Sequence, residues 1–248
     1  MMTAYIRCFK AEFIKSRRSA IFYVHIVLPF LCAVVFAGYY RISAWEASAK
    51  ISAYLEVIAA SIPFITGIIT GQALDIEHNA GGYQLLLGTI PSRNASFLGK
   101  LFFLLSCFFA AVALALGLFA ALYPVAPLVL YGKALALLLL TAIPLYVLHL
   151  FMGMKFGKGA TLGLGIAGSL FAALMITGLG DKMWKAVPWA WSVRAMDCAV
   201  LSWCDPQRYL LVHREFAIGM MICACSVVCL LTACLLWFQR WDGGKSTE

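Results

Sequence analysis

Three short motifs in this chain resemble catalytic or nucleotide-binding signatures, but none has the surroundings that its chemistry requires. Residues 163–168 (GLGIAG) match the GxGxxG spacing, yet they lie inside an apolar stretch, where small residues favour close helix packing. Residues 244–246 (GKS) match the end of a phosphate-binding loop, but Gln239 stands where that loop needs its first glycine. Residues 178–181 (GLGD) match a motif of intramembrane aspartyl proteases, which need a second intramembrane aspartate that this sequence lacks. The sequence therefore predicts no catalytic residue.

The nine cysteines do not predict a metal site. Four of them lie in the last apolar stretch, at positions 223, 225, 229 and 234, with no histidine or carboxylate nearby to complete a zinc site. A free cysteine in such a stretch packs as a small apolar side chain. Cys198 and Cys204 share one polar segment, so a disulfide between them is a second interpretation if that segment faces an oxidising compartment. We predict no metal and no other cofactor.

Six long apolar stretches dominate the chain and predict an all-α membrane protein. Hydrophobic residues make up 63% of the sequence and charged residues only 12%, about half the charged fraction that is usual in soluble domains. A helix that crosses the hydrocarbon core of a bilayer needs about 20 mostly apolar residues. We predict one membrane domain over residues 1–248, without a nucleotide-binding domain. The predicted spans are 21–40, 57–74, 101–122, 128–152, 160–180 and 216–238.

The basic residues predict the orientation of these spans. Those before the first span are Arg7, Lys10, Lys15, Arg17 and Arg18. Placing them in the cytoplasm leaves 11 basic residues inside and 7 outside, with Lys133 in the fourth apolar stretch counted on neither side. This is a modest bias in the expected direction. We therefore predict that both termini are cytoplasmic. The net charge of +8 is accounted for by contacts with anionic lipid headgroups, and no nucleic-acid motif is present.

The N-terminal residues have the pattern of an amphipathic helix. Apolar residues recur at helical spacing, at Tyr5, Ile6, Phe9 and Phe13, and basic residues occupy the opposite side. This pattern is typical of a helix that lies in the headgroup region of a membrane. A membrane anchor and a contact with a cytoplasmic partner are both compatible with it.

The polar segment 75–100 separates the second and third spans. Gly81 and Gly82 predict a break in the helix, because glycine readily adopts a positive φ. Residues 83–87 predict a short apolar turn that ends before Gly88 and Pro91. An apolar turn at this position needs a cover, which would be either the groove of a partner protein or the lipid surface.

These features together resemble those of a known family of membrane proteins. The basic amphipathic N-terminus, the six spans and the loop with its acidic, Gly-Gly, leucine-rich and Pro-Ser-Arg parts resemble ABC type-2 exporter permeases. More narrowly, they resemble the lantibiotic-immunity permeases called MutE/MutG or LanE/LanG. The resemblance implies a multi-pass protein of a bacterial cytoplasmic membrane that pairs with a second permease, as a heterodimer or a homodimer. It also implies two copies of a separate ABC ATPase as partners and an antimicrobial peptide as the substrate.

The same resemblance implies a coupling helix in segment 75–100 that contacts the ATPase. The residues assigned to this coupling role are Glu77, Gly81, Gly82, Tyr83, Leu86, Leu87 and Arg93. Two alternatives to this interpretation stay open. In the first, the chain is a stand-alone immunity or scaffold protein that does not use ATP. In the second, it is a permease for another amphipathic substrate.

The segment 181–215 before the last span contains four of the seven tryptophans, namely Trp184, Trp189, Trp191 and Trp203. Tryptophan favours the boundary between membrane and water, which predicts an interfacial belt. The family resemblance suggests instead that this segment contacts the peptide as it leaves. Glu56, at the outer end of the second span, is interpreted either as interfacial or as facing the path of the substrate.

Overall fold

In the computed structural model, which describes residues 2–88 and 92–243, the described residues form helices joined by short links. The helices are α1 (Met2–Ser16), α2 (Ala20–Ile42), α3 (Ala47–Asn79), α4 (Gln84–Gly88), α5 (Arg93–Leu122), α6 (Leu128–Phe156), α7 (Lys158–Ile176), α8 (Ala190–Cys204) and α9 (Pro206–Arg240). Two 3₁₀ turns, Gly178–Gly180 and Trp184–Ala186, lie between α7 and α8. Six helices, α2, α3, α5, α6, α7 and α9, are long and apolar enough to cross a membrane. The predicted fold class is confirmed.

The spanning helices are mostly longer than the apolar stretches that revealed them. Helix α3 has 33 residues, a length of about 50 Å, against the roughly 30 Å of a hydrocarbon core. It begins ten residues before the predicted span and ends five residues after it, because its polar ends remain helical beyond the apolar part. Helix α9 likewise begins ten residues earlier than predicted. Helix α7 is shorter than predicted, since residues 178–180 form a separate 3₁₀ turn.

The closest helix pair, α3 and α7, is joined through glycines. A methyl group added at Gly67 would lie 2.7 Å from the carbonyl oxygen of Thr161, and one at Gly165 would lie 2.8 Å from that of Pro63. The interpretation of residues 163–168 as a packing surface is therefore confirmed for Gly165. It is wrong for Gly163, which has no neighbour within 4 Å of that position.

Segments that are distant in sequence meet at the two ends of the bundle. Helix α1, α4, the α6–α7 link and the end of α9 lie together at one end, which we call the α4 end. The α2–α3 and α5–α6 links and helix α8 lie at the other, which we call the α8 end. At the α8 end, basic side chains cap the carboxyl ends of helices: Arg41 donates to Leu122 O at 3.2 Å, and Lys50 donates to Tyr40 O at 2.8 Å. Cations at these positions also interact favourably with the helix dipole.

This capping explains the modest charge bias between the two ends. Arg194, too, donates to Thr177 O at 3.0 Å beside the carboxyl end of α7. Basic residues that count against the predicted orientation therefore have a structural role within the bundle.

Candidate functional site

The link between α3 and α4 has an unusual backbone. The φ angles of Gly81, Gly82 and Tyr83 are 123°, 58° and 68°, so the chain makes a left-handed turn over three consecutive residues. The predicted break at the two glycines is confirmed, but Tyr83 joins it, and a positive φ is strained for a tyrosine. The Tyr83 ring lies 5.8 Å from the ring of His78 and 5.1 Å from that of Trp241, and this packing holds the turn in place.

The apolar residues around α4 pack against the protein itself. Tyr83 is 8% exposed and Leu86 only 2%, while Leu87 is half-buried. The hydroxyl of Ser96, in the first turn of α5, donates to the carbonyl oxygen of Leu86 at 2.9 Å. The prediction of an exposed apolar turn is therefore wrong for Tyr83 and Leu86. The predicted stop at Pro91 lies outside the described residues.

Among the α4 residues whose burial the structure describes, the exposed ones are polar or small. These exposed residues are Gln84 and Gly88. They are the part of α4 that a docking protein would meet first.

A buried charge cluster lies directly behind this turn. It consists of Glu12 and Lys15 from α1, Glu77 from α3 and Lys100 from α5, which we call the charge cluster. Lys15 Nζ lies 2.7 Å from Glu77 Oε1 and 3.1 Å from Glu12 Oε1. Lys100 Nζ lies 3.0 Å from Glu77 Oε1 and is also bonded to Glu12 Oε2. Two carboxylates and two ammonium groups thus balance one another and join three helices.

Most of the charge cluster is buried. The side chains of Lys100 and Glu77 are each 1% exposed, and that of Glu12 is 6% exposed. Burial acts to lower the pKa of the Lys15 ammonium, but the carboxylates of Glu12 and Glu77 outweigh it and raise that pKa above its ordinary value. Breaking such a group is costly, because the remaining charge stays buried without a partner.

The structure changes the role expected of Glu77. The family resemblance implied that Glu77 makes a polar contact beside the coupling helix. Its ligands are instead Lys15 and Lys100 inside the protein, so Glu77 connects the end of α3 to α1 and α5.

Arg93, at the start of α5, binds the carboxyl end of α9. Its guanidinium donates to Trp241 O at 2.8 Å and to Gln239 O at 3.0 Å. It also lies 3.6 Å from the Asp242 carboxylate. Arg93 was expected to contact a partner protein. It instead caps the carboxyl end of α9 and connects α9 to the start of α5, next to α4.

The sequence contained only a weak signal for this contact. Trp241 and Asp242 directly follow α9 in the sequence. An aromatic residue just beyond a span can pack against a loop, and an acidic residue there can form an ion pair with a basic residue of that loop. Nothing local in the sequence identifies that loop as the one containing Tyr83 and Arg93.

A second candidate site is an open cavity of ≈ 630 Å³ at the α8 end. Its wall is formed by the start of α3, the 3₁₀ turns, α8 and the start of α9, and includes Ser52, Asp181, Arg194 and Asp197. Glu56 lies near this wall, three turns into α3, and accepts a hydrogen bond from Ser52 at 2.6 Å. Helix α3 begins at Ala47, so Glu56 lies inside the helix, and its role as an interfacial or path-facing residue stays a prediction.

Two carboxyl groups meet beside the cavity. Burial raises the pKa of Asp197 to about 8, and the adjacent Glu56 carboxyl and the charge of Asp181 add to this, against the opposing effect of Arg194. Arg194 lies 2.8 Å from Asp181 and 3.9 Å from Asp197. Asp197 therefore holds a proton at neutral pH.

This raised pKa makes stability depend on pH. The ordinary pKa of an aspartate is 3.8, so the folded protein loses stability as pH rises from about 4 through about 8, where Asp197 must ionise. We expect Asp197→Asn, which cannot ionise, to raise the thermal midpoint by a few degrees at pH 9 and to leave it nearly unchanged at pH 5. Thermal unfolding in detergent, followed by tryptophan fluorescence, measures both midpoints.

Glu46→Gln is the matched control for this experiment, because Glu46 is an exposed carboxylate at the same end of the bundle. Its midpoint should follow that of the parent protein at both pH values. An Asp197→Asn protein that loses stability between pH 5 and pH 9 as steeply as the parent would contradict the assignment of the proton.

Two of the four tryptophans proposed for a belt are internal. Trp184 is 7% exposed and lies against Gly219 of α9, and Trp191 is 2% exposed and donates to Lys185 O at 3.0 Å. These two side chains contact neighbouring parts of the protein, and their place in an interfacial belt stays a prediction. Trp189 and Trp203 are half-buried, and for them an interfacial role stays a prediction.

Cys198 and Cys204 do not form a disulfide in this structure. They lie six residues apart on α8, a rise of about 9 Å along the helix. A disulfide requires Cα atoms roughly 4.4–6.8 Å apart. The two thiols can be joined only if α8 unwinds.

Comparison with known proteins gives the family of the chain. Residues 8–180, from α1 to the first 3₁₀ turn, match the model of the ABC-2 family transporter proteins. The chain belongs to this family. No curated protein matches the sequence, and no solved structure matches the fold.

Membership of the ABC-2 family gives several properties of the chain. It is a multi-pass membrane protein and a permease subunit of an ABC transporter. Such a subunit transports and is not itself catalytic, and the family implies an ABC ATPase as partner. The match includes α4 and the charge cluster, and it ends before α8 and α9.

Proposed function

We propose that this ABC-2 permease is a single membrane domain whose α4 end faces the cytoplasm and receives motion from the ATPase. The basic residues of α1 support this orientation. The observation that carries the proposal is the set of contacts next to α4 that join four helices to one another. The charge cluster joins the end of α3 to α1 and α5, and Arg93 joins the start of α5 to α9.

In this proposal, each residue predicted for coupling has a role that follows from its position. Gln84 and Gly88 form the outward surface that the ATPase contacts. Gly81 and Gly82 allow the left-handed turn, and Tyr83, Leu86 and Leu87 hold α4 against the bundle. Glu77 and Arg93 then transmit a push on α4 to the spanning helices. A stiff segment of this kind moves as one body, because its joints are buried and hydrogen-bonded.

The proposed assembly has a second permease, as a heterodimer or a homodimer, with two ATPase copies and surrounding lipid. Large apolar side chains stay exposed along α2 and α9, for example Val35 at 61% and Val228 at 65%. Such faces suit either lipid or a second permease. The sequence resemblance further supports a bacterial cytoplasmic membrane as the location.

The proposed substrate is a lantibiotic or a similar membrane-active peptide, removed from the bilayer and released outside. The resemblance of segment 77–100 to lantibiotic-immunity permeases supports this choice. Another amphipathic substrate is the alternative within the same transport function. Survival of cells exposed to lantibiotic, with and without the complete transporter, distinguishes the two.

A photo-crosslinking experiment tests the docking surface. We expect benzoylphenylalanine in place of Gln84 to form a crosslink to the co-expressed ATPase in intact membranes, because this side chain is exposed on α4. The same amino acid in place of Leu128, which is 76% exposed at the α8 end, should form none.

A crosslink from position 128 but not from position 84 would reverse the proposed orientation. No crosslink from either position would favour a stand-alone immunity or scaffold protein that works without ATP. The experiment does not depend on knowing the substrate.

A further inference from the structure

Four polar side chains in the centre of the bundle have atoms without a hydrogen-bond partner among the described residues. Each of the four residues is 0% exposed. The atoms are Thr66 Oγ1, Thr70 Oγ1, the Tyr146 hydroxyl and His149 Nε2. We call these four residues the polar seam.

The polar seam lies on facing surfaces of α3 and α6. Thr66 and Thr70 are one helical turn apart on α3, as Tyr146 and His149 are on α6. A methyl group at Gly67 would lie 3.4 Å from His149 Cε1, the ring carbon bonded to Nε2. Thr66 lies close to Tyr146 across the interface between α3 and α6.

One nitrogen of His149 is already occupied. Its Nδ1 lies 2.8 Å from the hydroxyl of Thr161 on α7, so the ring is fixed in orientation while Nε2 stays free. The polar seam thus lies where α3, α6 and α7 meet.

Unpaired hydrogen-bonding groups at membrane depth cost free energy, and apolar residues of the same shape would remove that cost. Their presence is explained if a second state of the protein satisfies them. The surrounding helices are suited to separate, since Pro63 and Pro144 interrupt the backbone hydrogen bonds of α3 and α6 near the seam. The last turn of helix α3 contains Glu77, which belongs to the charge cluster behind α4.

We propose that the polar seam is a water-binding site, closed in this structure and hydrated in a second state of the transport cycle, when α3 separates from α6. Its ligand is neutral, because hydroxyl groups and an imidazole nitrogen supply both donors and acceptors but the seam contains no carboxylate or ammonium group. One water molecule makes two to four hydrogen bonds, so a few water molecules would satisfy the four polar atoms of the seam. The part of this inference that assigns the opening to the ATPase rests on the proposed function.

Replacement of threonine by valine tests the seam, because valine has the same shape and lacks the hydroxyl. We expect Thr66→Val and Thr70→Val to leave the thermal midpoint unchanged or higher. Transport in proteoliposomes should fall by roughly tenfold, the effect of losing about one good hydrogen bond in the hydrated state.

Thr141→Val is the matched control. Thr141 is also 0% exposed, but its hydroxyl donates to Leu137 O at 2.9 Å and accepts from Ser192 at 3.0 Å. This variant should lower the midpoint. If Thr66→Val and Thr70→Val lower the midpoint as much as Thr141→Val does, the hydroxyls have a static structural role and the proposal fails.

Thiol labelling measures the hydration directly. In a background in which the native cysteines are replaced, Thr70→Cys should react with a small water-soluble maleimide when ATPase and nucleotide are present. Ala142→Cys, at an apolar position that is 0% exposed, should stay unreactive.

The labelling result separates this inference from the proposed function. Reaction of Thr70→Cys that depends on nucleotide supports both. Equal reaction without the ATPase supports the hydrated seam and overturns its control by the ATPase. Absence of reaction in every condition overturns the seam, while a crosslink from position 84 would still support the docking surface.

Discussion

Replacing Lys100 with methionine is expected to cost about 3–5 kcal/mol of stability, the usual effect of removing one partner from a buried ion pair. Methionine fills much of the same volume, so the effect comes from the charge. The variant leaves the carboxylates of Glu12 and Glu77 buried with Lys15 as their shared cation. The thermal midpoint in detergent, together with the yield of folded protein from membranes, measures the loss.

Two further variants make this result specific. Lys10→Met removes an exposed lysine from the same end of the bundle and should have little effect. The double variant Lys100→Met with Glu77→Gln removes one charge of each sign and should recover at least part of the lost stability, since Glu12 and Lys15 stay paired. A Lys100→Met protein as stable as Lys10→Met would show that the charge cluster does not hold the α4 end together.

Replacing Arg93 with alanine is expected to lower transport by roughly tenfold or more while the ATPase stays bound. Arg93 donates to two carbonyl oxygens at the end of α9, and hydrogen bonds from a charged group are each worth about 1.5–3 kcal/mol. When these hydrogen bonds are lost, α4 and the start of α5 can move independently of α9. The docking surface around Gln84 is unchanged. Substrate transport in proteoliposomes and the yield of the position-84 crosslink measure the two properties separately.

Arg240→Ala is the control for Arg93→Ala. Arg240 is exposed at the end of α9, and its side chain makes no ion pair with the residues that the structure describes. The Arg240→Ala variant removes the same charge from the same region and keeps the hydrogen bonds of Arg93 to the end of α9. Equal transport by the two variants would contradict the role of Arg93, and loss of the crosslink in Arg93→Ala would assign this residue to docking itself. Arg93→Lys, which keeps one donor group, should retain part of the activity.

The sequence by itself determined the features that depend on local composition. Six apolar stretches predict six spans because each stretch must be helical to satisfy its backbone in lipid. Gly81 and Gly82 predict a break because glycine readily adopts a positive φ. These predictions were correct because they need no knowledge of which helices become neighbours.

Only the tertiary structure decided where the polar residues point. Glu77 and Arg93 looked like contacts for a partner, since a charged residue in a loop is usually exposed. Their carboxylate and guanidinium instead bind groups that are 62 and 148 residues distant in the chain. Such contacts depend on the length and rotation of each helix, and helices α3 and α9 extend well beyond their apolar parts. The unpaired hydroxyls of Thr66 and Thr70 likewise emerge only once α3 is packed against α6, because a threonine in an isolated helix has water or its own backbone as a partner.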